Sequence, residues 1–319
     1  MTPILAAQLA LPLLLVLWMA TLPPRSTTGW IAQTVGSLVM LVAMVPLGVW
    51  VFPPWWTPYV AATALLVIAV RSLRRPLALG RSPRGIGGWM HATLFAMAGV
   101  FGFGLLLRAR AAERLPDESS IVDLAFPFES GTYLVVNGGN DPLRNAHQAS
   151  LDTTITRLRA WRGNAHAVDL VAINALGFRA PGFLPPDPAS YAIFGQPVLA
   201  PCSGEVVRAV DGVLDNRVPQ WNRANMAGNH VFLACEGVHV VLAHFRQGSV
   251  RVRPGDHVEA GDVLGEVGNS GGSDEPHLHV HAQWPGPEGA PFTGDPVPVR
   301  FGGRYLARGD RITGHPIEP

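Results

Sequence analysis

A chain of 319 residues has room for two or three structural units. Its formal net charge is +1 and charged residues make up only 15% of it, so composition offers no general case for nucleic-acid binding. Every basic side chain is Arg, with no Lys.

Apolar residues concentrate before about residue 108. Pro3 to Leu22, Trp30 to Phe52 and Ile86 to Leu107 are runs of the length that crosses a bilayer. Trp55 to Val70 is shorter, with Trp55, Trp56 and Tyr59 suited to a membrane interface. A cleaved signal peptide does not account for these runs: no basic residue precedes the first, and the later ones would stay unexplained. The loop after the third run carries Arg71, Arg74, Arg75, Arg81 and Arg84, whereas Pro53-Pro54 carries no charge. Positive loops stay in the cytoplasm. Four spans then put both termini outside, with everything after Leu107 exported. Pro12, Pro46 and His91 inside the runs read as tolerated kinks and a bundle-facing group. The expected plan is a transmembrane region over 1–110, a linker over 111–130, a folded domain over 131–300 and a C-terminal tail over 301–319.

Past the linker, Thr132 to Val136 reads as a strand, Asn137 to Pro142 as a turn and Ser150 to Arg162 as a polar loop. Ala165 to Ile173 is a β-branched run with Asp169 in its middle, a costly position for a carboxylate unless it is paired or binds a metal. From Gly195 onward short strands alternate with Gly/Pro/Asp turns: Pro197 to Pro201, Gly204 to Val210, Asn229 to Ala234, His239 to His244, Val263 to Val267 and the strand at His277. No helical period appears, so the expected class is a multi-pass helical membrane region followed by a mainly antiparallel β domain, a sandwich or barrel-like sheet.

The chemistry concentrates in Gly268 to His281, a Gly/Ser/Asn-rich loop leading through Pro276 into His277-Leu278-His279-Val280-His281. Strand alternation puts His277 and His279 on one face. Two such imidazoles can share a metal, or one can bind metal while the other handles protons. His281 follows on the same face, where a contact behind the ligands or with substrate and a solvated strand residue both fit, the solvated one being favoured. In the preceding strand, Val240 and Leu242 share the side of His244 and His239 faces away. Cys202 and Cys235 are not spaced as a metal pair; a disulfide in an exported domain and a buried free pair both fit.

Gly195 to Pro201, Ser203-Gly204-Glu205-Val206-Val207, Gly228-Asn229-His230-Val231, Leu242-Ala243-His244, Pro254-Gly255-Asp256 and Gly268 to His279 follow in an order that resembles the lysostaphin-type (LytM-like) zinc metallopeptidases. The resemblance covers roughly residues 137–285. It implies a Zn2+-dependent endopeptidase acting on peptidoglycan crosslinks or stems, with Asp169 and His279 as zinc ligands. His244 and His277 would position water and stabilise the charged intermediate. One departure stands out: most members have a His four residues before the Asp, and here that position is Ala165. His147, in Asn145-Ala146-His147, resembles a variant with an upstream Asn-X-His and is the favoured first ligand; His166 is the alternative, on the opposite face of a regular strand unless a bulge intervenes. The expected partners are a peptidoglycan peptide, the membrane and a regulatory membrane protein. The competing reading is a catalytically inactive LytM-like module that binds peptidoglycan or regulates another hydrolase. A biotinyl- or lipoyl-type carrier has similar turns but attaches its cofactor to a Lys, which this chain lacks.

Overall fold

The structure, a computed structural model, describes residues 2–24, 26–74, 80–116 and 121–315. Arg75 of the basic loop, 117–120 of the expected linker and 316–319 of the expected tail lie outside them. The chain divides into two compact units, Met1–Ala111 and Ala112–Pro319.

The first unit is helical: α1 (Thr2–Thr21), α2 (Thr27–Leu47), α3 (Thr57–Ser72) and α4 (Gly85–Ala111). Among the described residues α1, α2 and α4 are long and apolar enough to cross a membrane, and α3 is shorter, at 16 residues. At 1.5 Å per residue α3 is about 24 Å long, against a hydrocarbon core of about 30 Å. The second run ends at Leu47 rather than at Phe52, because the chain turns extended at Gly48. Gln8 of α1 holds that turn, donating to the carbonyls of Val49 and Phe52 (3.0 and 2.8 Å) and accepting from the Val49 amide at 3.0 Å. Small residues let α2 and α4 approach closely. A Cβ on Gly36 would sit 2.1 Å from the Phe95 carbonyl oxygen. His91 faces the bundle, its Nε2 3.1 Å from Gln33 Oε1.

The second unit is built on strands: β1 (Val122–Leu124), β2 (Thr132–Asn137), β3 (Val168–Ile173), β4 (Pro197–Leu199), β5 (Gly204–Val210), β6 (Asn229–Cys235), β7 (Val238–Phe245), β8 (His257–Val258), β9 (Val263–Glu266), β10 (Leu278–Gln283), β11 (Pro296–Val297), β12 (Val299–Phe301), β13 (Arg304–Tyr305) and β14 (Arg311–Thr313). The main sheet runs β14-β2-β3-β10-β7-β6-β5-β8 and is antiparallel throughout, with β11 also paired to β10. Alternation sorts its central strands into two faces. Val168, Leu170, Val240, Leu242, Leu278 and Val280 enter the hydrophobic core. Asp169, Val241, Ala243, His279, His281 and Gln283 take the opposite face.

A 3-10 layer lies against that second face. Ala146–Leu151 and Thr156–His166 are 3-10 helical, so most of the stretch expected as a loop is short-pitch helix, interrupted at Trp161. Polar side chains at these positions give no apolar period to read, which hides the turns from sequence. The segment expected as a tail is folded too. β12 pairs in parallel with β1, β14 forms one edge of the main sheet, and Leu306 and Ala307 are fully buried. Cys202 and Cys235 are joined as a disulfide across a separation of 33 residues.

Candidate metal centre

Three elements far apart in the chain bring His147, Asp169 and His279 together. His147 is the second residue of the first 3-10 helix, whose cap Asn145 is fully buried. The Asn145 side chain accepts from the His147 amide at 3.1 Å and donates to the carbonyls of Gly139 and Ala167, both at 3.1 Å. Asp169 in β3 lies directly across from His279 in β10. His147 Nε2 stands 2.9 Å from Asp169 Oδ2, and His279 Nδ1 stands 2.9 Å from Asp169 Oδ1. One donor atom from each of the three lies within 4.8 Å of the others. His166 is not in this group: it ends the second 3-10 helix and its Nδ1 accepts from Gln148 at 3.2 Å.

His277 and His244 adjoin the cluster, their rings 4.7 Å apart. His277 Nε2 lies 3.8 Å from Asp169 Oδ1 while its Nδ1 meets the Glu275 carbonyl at 2.9 Å. His244 Nδ1 meets the Ser270 carbonyl at 2.9 Å. Carbonyls only accept, so both rings carry hydrogen on Nδ1, which leaves Nε2 as the lone pair in the neutral form. The Ser270 carbonyl is placed by tight packing of Gly271, at φ 78°, where a Cβ would lie 2.3 Å from the Gly228 nitrogen.

His244 reaches this side by breaking alternation, a correction to the sequence reading. Val240 and Leu242 enter the core, so regular parity would send His244 after them. Its φ of 70° and a register shift beside Asn229 turn it toward the metal cluster instead. His239 is then on the face of Val241 and Ala243, further along the strand and opposite Gln283. A bulge does the same for Asn137, which sequence analysis had placed in a turn. After Val135 the β2 register shifts, and Asn137 comes opposite Asp169 and donates to its Oδ2 at 2.8 Å. Arg308, from the expected tail, donates to Asn137 Oδ1 at 2.9 Å and to the carbonyls of Val136 and Leu143.

Burial alone would raise the Asp169 carboxyl pKa, but the positive charge that His147 and His277 carry when protonated, and the close contacts of His147 and His279 with its oxygens, hold it well below the carboxylate range. Burial lowers His279 despite the nearby Asp169 carboxylate. His244 falls well below the usual imidazole value, by burial and then by the charges of His277 and His279. Asp169 is therefore an ionised carboxylate beside His279 and His244, whose burial favours the neutral imidazole. Two imidazoles and one carboxylate match the donors that zinc takes in sites keeping an open position. A cavity of about 190 Å³ opens alongside, walled by Leu158, Trp161, Met226 and Phe292 and reaching His147, His244 and His279.

His281 was read as solvated, yet it is 1% exposed and its Nδ1 lies 2.9 Å from His279 Nε2. Burial first, then the His279 charge, holds it well below the usual imidazole value. Gln283, not among the candidate site residues, follows at 3.3 Å. The signal for both was the shared parity of 277, 279, 281 and 283. Asn137 and Arg308 carried no such signal.

Residues 190–292 match the model described as peptidase family M23. The second unit carries a LytM-like M23 peptidase domain. His244, His277 and His279 fall inside the matched stretch; His147, Asp169 and the 3-10 layer lie before it. No curated protein matches the chain. Among solved structures, the catalytic domain of the antimicrobial peptidase lysostaphin from Staphylococcus simulans is 25% identical over 38% of this chain and 69% of that one, with a TM-score of 0.24. The catalytic domain of the prophage-encoded M23 protein EnpA from Enterococcus faecalis, in a mutant form, is 24% identical over 38% of this chain and 69% of that one, with a TM-score of 0.25. A longer lysostaphin structure is covered over 35% of its length, at 25% identity over 37% of this chain and a TM-score of 0.23.

Proposed function

We propose that this M23 domain chain is a membrane-anchored zinc metalloendopeptidase that hydrolyses peptide bonds in peptidoglycan crosslinks or stems. The observation that carries the reading is the convergence of His147, Asp169 and His279 donors within 4.8 Å beside two further imidazoles. Those three residues would hold the ion, and zinc bound there supplies Lewis acidity toward the scissile carbonyl and acidifies water. The chain's own part is proton handling. Nε2 of one of His277 and His244 takes the proton of the attacking water and returns it to the leaving amine. The other, carrying on Nε2 a proton taken from solvent and keeping it throughout, donates a hydrogen bond to the carbonyl oxygen as charge develops there. The apolar cavity shields the substrate backbone from water along one side.

The same reading puts the loop bearing Arg71, Arg74, Arg81 and Arg84 in the cytoplasm, with α3 as a fourth span and the peptidase domain outside. The Cys202–Cys235 disulfide supports an oxidising compartment for that domain.

The test uses the full chain purified in detergent, with zinc content measured and purified peptidoglycan supplied as substrate. Wild type should hold one zinc and release peptide products, and His279→Ala should lose both. Unchanged products from His279→Ala would remove the proposal. Bound zinc without products from wild type would favour a non-cleaving module.

A further inference from the structure

Behind the metal cluster runs a buried row of polar groups whose hydrogen positions can be worked out from its far end. Gln283 Nε2 lies 2.6 Å from the Pro291 carbonyl and 3.4 Å from that of Trp284. Carbonyl oxygens only accept, so the amide is oriented with its nitrogen toward them. Gln283 Oε1 faces His281 Nε2 at 3.3 Å and can only accept, which requires the His281 hydrogen to be on Nε2. His281 Nδ1 is then a bare lone pair and meets His279 Nε2 at 2.9 Å, so His279 in turn carries its hydrogen on Nε2. The row ends at a bare His279 Nδ1, 2.9 Å from Asp169 Oδ1. Two acceptors at that distance repel unless a cation lies between them. Gly163 adds an independent observation: a Cβ there would lie 1.8 Å from Gln283 Oε1, so the 3-10 layer leaves room for this amide.

We propose that His281 and Gln283 are positioning residues that lock His279 in the tautomer with a bare Nδ1 and so prepare it to bind the metal. The inference rests on the zinc reading of the site. Gln283, His281 and His279 are 0%, 1% and 6% exposed, so water does not compete for these bonds. Partners behind a metal-binding His, fixing tautomer and ring orientation, commonly change metal affinity by roughly 10- to 100-fold when removed. Here an imidazole and an amide occupy the place more often held by a carboxylate or a carbonyl, so the site gains orientation without added negative charge.

The experiment measures zinc affinity of the full chain in detergent by competition with a chromophoric chelator, alongside the near-ultraviolet circular dichroism of each variant. His281→Leu keeps much of the volume and removes the acceptor; affinity should fall by roughly 10- to 100-fold. His281→Asn offers an amide oxygen close to the position of Nδ1 and should restore most of the loss, which a purely packing role would not do. Gln283→Met frees the His281 tautomer and should also weaken binding, giving a readout if His281→Leu does not fold. Wild-type affinity in His281→Leu or, should that variant not fold, in Gln283→Met overturns the proposal. Equal losses in the folded Leu and Asn variants overturn it as well. A wild-type chain that binds no zinc overturns the site reading and the relay together, whereas a zinc-binding wild type with an indifferent leucine variant overturns the relay alone.

Discussion

His230 shows what burial does to a side chain that the chemistry does not use. It is 5% exposed, packed against Phe232 and Phe292, with Nδ1 bonded to the Gly228 carbonyl at 2.8 Å and no partner at Nε2. Burial lowers its pKa from 6.5 to about 4. The unfolded chain therefore takes up the proton at a higher pH than the folded chain. Stability present above pH 6.5 is lost as the pH falls through about 4. The loss from this one residue is on the order of 3 kcal/mol. Chemical denaturation of the full chain should give a midpoint that falls between pH 7 and pH 4.5, and His230→Phe should flatten that dependence. An unchanged slope in the variant would assign it to other groups. The site is legible from sequence to the extent that side chains obey strand parity. His277 and His279 share a face as their spacing requires, and Asp169 meets them from a neighbouring apolar strand. His244 and Asn137 do not obey it: a positive φ turns one and a bulge turns the other away from the core. Neither irregularity has a local signature, because each is set by the partner strand.

Among the elements, the apolar helices and long strands were readable because each repeats its pattern over several periods. The 3-10 layer and the strands after residue 295, two or three residues each, offer too few positions to form a period. They matter to function nonetheless, since the first supplies His147 and the segment between the last two supplies Arg308. The disulfide is the covalent counterpart of these short contacts. Cys202 lies between β4 and β5 and Cys235 ends β6, so the bond ties the start of one hairpin strand to the end of its partner. Closing a 33-residue separation removes unfolded-state freedom worth roughly 2–4 kcal/mol. Replacing both cysteines, as Cys202→Ser with Cys235→Ser, should lower the unfolding free energy by that order while zinc content stays at the wild-type level, because neither cysteine adjoins the metal cluster. A zinc content that falls with the double substitution, in protein still folded, would show that the cluster depends on this clasp.

At the scale of the molecule, the two units have different solvents written into their surfaces. Met97, Val100 and Phe101 in the first unit are 66%, 75% and 62% exposed, along a helix long and apolar enough to cross a membrane. Outward apolar surface of that kind is stable in lipid or detergent and is a liability in water. The second unit instead gathers most of its apolar side chains into a buried core drawn from residues between Val122 and Ile312, with scattered exposed ones such as Leu176 and Leu214. The disulfide, His147, Asp169, His244, His277 and His279 all belong to the same unit. A chain beginning at Ala112 therefore contains every group invoked for folding and for metal binding. Expressed in an oxidising compartment, it should remain in the supernatant with liposomes, show the circular dichroism of a β protein and bind zinc with the affinity of the full chain. The full chain should float with the liposomes. Equal zinc affinity in the two would assign the helices to anchoring; a loss of affinity on truncation, with the β signal retained, would mean that the membrane unit also shapes the metal site, and a loss of both would refute independent folding.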